Sequence, residues 1–138
     1  MTYEKSCGFV AYKEEAGKRQ YLIIRALNGK YGFPKGHVER GESELETAVR
    51  ELKEETNVEV EPIGGFRHQM EYRLPNKKNV IKRAVFFIGR CKTEAIVCQQ
   101  TEVSAALFAP YEKALGLLSF KETKELLIAA REYLDRYE

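Results

Sequence analysis

The sequence predicts an α/β domain, an α/β/α sandwich built around a mixed β-sheet. Three observations carry that expectation. Apolar, β-branched and aromatic runs that read as strands lie both before and after an amphipathic helical segment. One run, centred on residues 84–88, is apolar without alternation, as in a central strand covered on both faces. A second amphipathic helix closes the chain. At 138 residues the chain is one domain by length, able to bury roughly two thirds of its unfolded surface.

Residues 7–12 and 20–27 read as strands, and the polar stretch 13–18 between them makes a hairpin. Residues 28–32 follow as a loop. From Phe33 to Val58 the chain reads FPKGHVERGESELETAVRELKEETNV, a glycine-rich loop and then a helix over residues 44–56. Ser43 is the N-cap and Glu46, three positions on, completes a capping box. Asn57 tolerates the left-handed conformation that ends many helices. Winding the helix at roughly 100° per residue puts Leu45, Ala48, Val49 and Leu52 on a stripe read as core-facing. Glu44, Glu51 and Glu55 fall within about 40° of one another on the adjacent stripe, with Glu54 beside it. Like charges so stacked repel. Either a hard divalent cation converts that repulsion into binding, or the face is simply acidic and solvated.

Residues 58–66 are expected to be extended, bent at Pro62 and Gly64-Gly65. Met70, Tyr72 and Leu74 alternate with Glu71 and Arg73 as in a strand with one apolar face. The polar turn 75–79 leads into the central strand, residues 80–91. Residues 93–103 read as a loop with a short apolar piece at 95–98, and residues 104–109 as one more strand. Pro110 opens a helical turn, being at home at a first helical position. Ser119 and Glu122 form a second capping box for the last helix, whose stripe is Phe120, Thr123, Leu127, Ala130 and Leu134, with Leu126 beside it.

Composition removes several classes. The chain is 43% hydrophobic and 32% charged, an ordinary globular balance. A net charge of +2 is too weak to imply nucleic-acid binding by itself. No apolar run approaches membrane-spanning length, and the first residues lack the apolar core of a signal peptide, so no membrane partner and a cytoplasmic location are expected. Cys7, Cys91 and Cys98 form no CxxC pair and, with only His37 and His68 to help, make a poor zinc set. They read as free, mostly buried thiols in a reducing compartment.

Gly36, Glu42, the run Arg50-Glu51-Leu52-Lys53-Glu54-Glu55 and then Asn57-Val58 together resemble the Nudix box, here residues 36–58 of a single domain spanning 1–138. The one departure is Asn57 where the family carries glycine, and asparagine suits the same backbone. The resemblance implies the Nudix fold and a pyrophosphohydrolase dependent on Mg2+, with Mn2+ a substitute. It implies that Glu51, Glu54 and Glu55 bind metal, with the Gly36 carbonyl as a further ligand. Arg50 then orients the cluster by pairing with a glutamate, and Glu42 tethers loop to helix or reaches the metal through water. Glu54 or Glu55 activates water, or a loop acid outside the box does. Glu102 is the candidate for that acid, as metal ligand or base, against the plainer reading of a solvated loop glutamate.

The run Phe33-Pro34-Lys35-Gly36-His37-Val38-Glu39, with Gly65-Phe66, Tyr72, Asn76-Lys77, Glu102 and Phe120-Lys121-Glu122, looks like the diadenosine tetraphosphate hydrolase branch. That likeness implies a dinucleoside polyphosphate cut asymmetrically into a nucleoside triphosphate and a monophosphate. Lys35, His37, Lys77 and Lys78 are cations able to meet a phosphate chain, although His37 equally reads as a surface residue. Tyr72 offers a face for a base or is plain core beside Met70, and Tyr31 is a second candidate. The rivals are an RNA 5′-pyrophosphohydrolase acting on an RNA 5′ end, a nucleoside triphosphate pyrophosphohydrolase, and a non-catalytic Nudix module that senses nucleotides.

Overall fold

The computed structural model describes residues 2–73, 78–99 and 101–137. Strands β1 (Thr2–Glu15) and β2 (Lys18–Ala26) form the expected hairpin, paired Glu15↔Lys18 at its end. The turn is only Ala16-Gly17, both at positive φ, the two-residue type whose twist matches that of the strands. The polar residues 13–15 belong to the strand instead. Two short strands follow, β3 (Tyr31–Gly32) and β4 (Lys35–His37), where a loop was expected. β4 lies along β1, with Cys7 opposite Gly36.

The segments read as 58–66 and 70–74 form a single strand, β5 (Val60–Arg73). The anticipated bend survives as a register shift between Ile63 and His68 against β6 (Val80–Cys91), with Gly65 at φ +91°. β6 is central as predicted: it runs parallel to β1 from Thr2↔Val80 to Tyr12↔Arg90 and antiparallel to β5. β7 (Val103–Pro110) pairs with β2. The sheet order is β3-β2-β1-β6-β5, with β4 beside β1 and β7 beside β2, and the sheet is mixed.

Alternation in β1 divides the core. Cys7, Phe9 and Ala11 face one side, where Ala48 and Leu52 of α1 (Glu44–Thr56) cover them. Val10 and Tyr12 face the other, beneath Ala114 of α2 (Tyr111–Leu117) and Leu126, Leu127, Ala130 and Leu134 of α3 (Lys121–Tyr137). Helices therefore cover both faces of the sheet, the predicted sandwich. No helix among the described residues is long and apolar enough to cross a membrane.

Helix α1 has both predicted ends. Ser43 and Glu46 form the capping box, and Asn57 stands in the left-handed conformation at φ 67°. Its orientation corrects the expected stripe. Leu45 and Val49 are 39% and 43% exposed, while Thr47, Ala48, Glu51, Leu52, Glu55 and Thr56 are buried. The helix is rolled by about 60° from its apolar stripe toward its acids. Two carboxylates leave water while two apolar side chains stay in it, the reverse of what burial alone favours.

Two further corrections concern the C-terminal third. Pro110 is the N-cap of α2 rather than its first helical residue. The Ser119 hydroxyl does not cap α3; it accepts from the Tyr31 N–H at 2.8 Å. Phe120, placed on the core stripe, is 49% exposed.

Candidate active site

The roll of α1 brings Glu55 into the lining of a cleft of about 650 Å3, with Glu51 beside it. Glu51, Glu55 and Glu102 each present a carboxylate oxygen within 4.8 Å of the other two. Three devices hold them there. The Glu51 carboxylate fills the space beside Gly36, 2.0 Å from where a Cβ there would stand, so Glu51 keeps this place only beside a glycine. The Lys35 N–H donates to Glu55 Oε1 at 3.2 Å. The loop before β7 is tied to the end of α1, since the Gln99 N–H donates to the Glu55 carbonyl at 3.0 Å and the Glu102 N–H to the Gln99 carbonyl at 3.1 Å. That tie delivers Glu102, remote in sequence, to the helix.

Burial and the charges of Glu51 and Glu102 push the Glu55 carboxyl up to about 8. Glu51 is also raised, by burial first, with Arg50 beside it opposing the shift. The raised Glu51 and Glu55 carboxyls hold their protons more firmly than ordinary glutamates, and a cation joining them would favour the ionised forms. An all-carboxylate oxygen donor set suits a hard divalent ion, so these residues fit Mg2+ or Mn2+.

Arg50 spreads its guanidinium over the neighbouring acids. Nε and Nη2 grip the two oxygens of Glu42 at 2.6 and 3.0 Å. Nη1 reaches Glu51 and Glu54, both at 3.1 Å, and Nη2 the His37 carbonyl at 3.0 Å. Glu42 also accepts from the Glu39 N–H and the Thr47 hydroxyl, and these bonds, Arg50 above all, hold its carboxyl down to about 2. Its observed contacts are those of a loop-to-helix tether. Glu54 is exposed and engaged by Arg50, outside the three-carboxylate cluster. Glu44, from the same predicted stripe, is diverted altogether: Lys5 and Arg67 hold it.

Lys35, Tyr31 and Tyr72 line the cleft together with Glu55 and Glu102. Tyr72 is half-buried and also packs on the core, so both readings of it describe its position. His37 is exposed and lies outside the lining; its backbone carbonyl is what serves the site. Lys77 falls outside the described residues. The cleft also recruits Phe33, Phe86, Phe120, Arg73 and Glu122, none of which was singled out as a contact. Phe120 left a faint signal: it precedes the first helical residue, where helical periodicity no longer dictates burial.

Comparison with known proteins agrees with this fold. The family model described as NUDIX domain matches residues 6–131. An asymmetrical bis(5′-nucleosyl)-tetraphosphatase of Caenorhabditis elegans is 41% identical over 125 residues, covering 89% of this chain and 91% of the relative. The mouse protein of that name, from Mus musculus, is 30% identical over 142 residues, covering 94% and 95%. The crystal structure of a C. elegans Ap4A hydrolase binary complex superposes with a TM-score of 0.86 at 25% identity, over 96% of this chain and 98% of that one. With the box, the mixed-sheet sandwich and a family match over nearly its whole length, the chain belongs to the Nudix family.

Proposed function

We propose that the protein hydrolyses a dinucleoside tetraphosphate asymmetrically, diadenosine tetraphosphate to ATP and AMP, with Mg2+ held by Glu51, Glu55 and Glu102. One observation carries this reading: two members of the carboxylate cluster, Glu55 and Glu102, line a cleft that also presents the aromatic residues Tyr31, Phe33, Tyr72, Phe86 and Phe120 and the cations Lys30, Lys35 and Arg73. An ion-binding cluster suits phosphate, and aromatic side chains suit a base, for which stacking contributes roughly 1–3 kcal/mol. The similarity to the asymmetrical tetraphosphatases over most of both chains supports the choice of substrate.

When bound, the cation supplies charge neutralisation for phosphate oxygens and acidifies water. Glu51 and Glu55, buried and fixed by Gly36 and the Lys35 N–H, are the rigid members that hold it. Glu102 is the exposed member, open to entering water, and takes the proton as that water attacks phosphorus. A new P–O bond forms as the bond from the same phosphorus to the bridging oxygen breaks, and the other nucleotide departs: the triphosphate when the outer phosphorus is attacked, the monophosphate when its neighbour is. Lys35 offers its charge to the phosphate chain, and Tyr72 and Tyr31 offer faces to a base.

Hydrolysis of diadenosine tetraphosphate in oxygen-18 water with Mg2+ tests this directly. The expected products are ATP and AMP, with label in AMP if attack is at the outer phosphorus and in ATP if at its neighbour. Two ADP molecules, or no turnover beside brisk turnover of 5′-triphosphorylated RNA, would overturn the assignment.

A further inference from the structure

The corner between α2 and α3 is braced on both sides. The Leu118 N–H closes α2 on the Ala114 carbonyl at 3.1 Å, and Lys124 Nζ reaches back to the Leu115 carbonyl. Between these braces lies Ser119, exposed to solvent. Its hydroxyl accepts from the Tyr31 N–H at 2.8 Å, while its own N–H donates to the Tyr31 carbonyl at 3.2 Å. Two residues 88 positions apart thus exchange hydrogen bonds in both directions.

What this latch joins is informative. Tyr31 lines the cleft, and its strand leads through Phe33 to Lys35, whose N–H holds Glu55. Phe120, next to Ser119, lines the cleft from the start of α3. At 49% exposed, its ring is not held by close packing. Its place relative to Tyr31 is therefore set by the backbone on which it is mounted, and that backbone is tied to Tyr31 through Ser119.

We propose that Ser119 is a positioning residue that sets the spacing between Tyr31 and Phe120, and through it the affinity of the cleft for the base end of a nucleotide. Ser119 itself touches no substrate. This rests on the reading of the cleft as a nucleotide site.

The test compares Ser119→Ala and Ser119→Thr with the unaltered protein. Calorimetry with Mg2+ present measures binding of AMP, which carries a base, and of pyrophosphate, which does not; steady-state kinetics on diadenosine tetraphosphate runs alongside. Loss of one neutral hydrogen bond is expected to weaken AMP binding and raise KM by roughly fivefold. Pyrophosphate binding and kcat should stay within about twofold, and Ser119→Thr, which keeps the hydroxyl, should restore both values. Equal weakening of AMP and pyrophosphate, a fall in kcat matching the rise in KM, no effect of alanine, or no rescue by threonine would overturn the proposal. Should diadenosine tetraphosphate not be turned over while the AMP arm behaves as stated, the substrate assignment fails and the latch stands. A flat AMP arm with normal turnover removes the latch alone.

Discussion

Gly36 and Glu51 meet through the space a side chain would fill: a Cβ on Gly36 would lie 2.0 Å from the Glu51 carboxylate. The Glu51 carboxylate thus lies directly against the β4 backbone, where no larger residue leaves it room. Gly36→Ala is therefore expected to displace Glu51 and reduce turnover on the order of 100-fold, as small misplacements in catalytic sites do. A variant with near-normal kcat/KM would show that Glu51 need not stand there.

Glu55 is not the surface carboxylate its helix position suggested; it is 4% exposed. Its carboxyl is raised from 4.5 to about 8. Between those values the unfolded chain has lost the proton and the folded one keeps it, so metal-free stability falls as pH rises through that window. Glu42 and Glu44 act oppositely: both are lowered from 4.5 to about 2, by Arg50 and by Arg67 and Lys5 respectively. Their contribution is present above 4.5 and is lost as pH falls toward 2. Urea denaturation across pH without metal should thus show greatest stability near about pH 5. Glu55→Gln should flatten the alkaline limb and leave the acid limb intact, while cutting turnover at least about 100-fold. An unchanged alkaline limb would mean that Glu55 ionises normally.

Divalent cations should stabilise the protein by binding the folded state alone. Because an ion binds the deprotonated carboxylate, the rise in melting temperature with Mg2+ or Mn2+ should be larger at pH 8 than at pH 6. Glu102→Gln should weaken that stabilisation, with apparent affinity lower by about tenfold. Undiminished cation binding in this variant would separate Glu102 from the cluster.

Arg50 grips Glu42 with two nitrogens and reaches Glu51, Glu54 and the His37 carbonyl with the same planar group. An ammonium cannot reproduce that fork. Arg50→Lys should keep the fold yet lower kcat by roughly tenfold or more, because Glu51 and the loop carrying Glu42 lose a common support. Unchanged kcat would reduce Arg50 to a surface ion pair.

Local chemistry was legible wherever a short stretch decides its own conformation. The Ser43–Glu46 capping box and the left-handed Asn57 depend on neighbours within one turn, and both stand as read. Ser119 shows the limit. Ser119 and Glu122 carry the spacing of a capping box, but the hydroxyl has a competing partner in the Tyr31 N–H that sequence distance conceals. Leu45 and Val49 fail for a related reason: periodicity finds an apolar stripe, whereas the sheet and β4 determine which way the helix is rolled.

By itself the sequence determined the mixed-sheet sandwich, the central strand β6 and the acids of α1, because periodicity, caps and residue spacing are properties of neighbouring residues. Only the tertiary structure decided which acids converge. Glu51 and Glu55 were turned inward by the roll of α1, Glu54 was left outside with Arg50, and Glu102 was carried in by a loop tied to the helix end. The physical reason is that carboxylate convergence depends on distances between elements, and those are set by packing and by backbone hydrogen bonds between residues far apart in the chain.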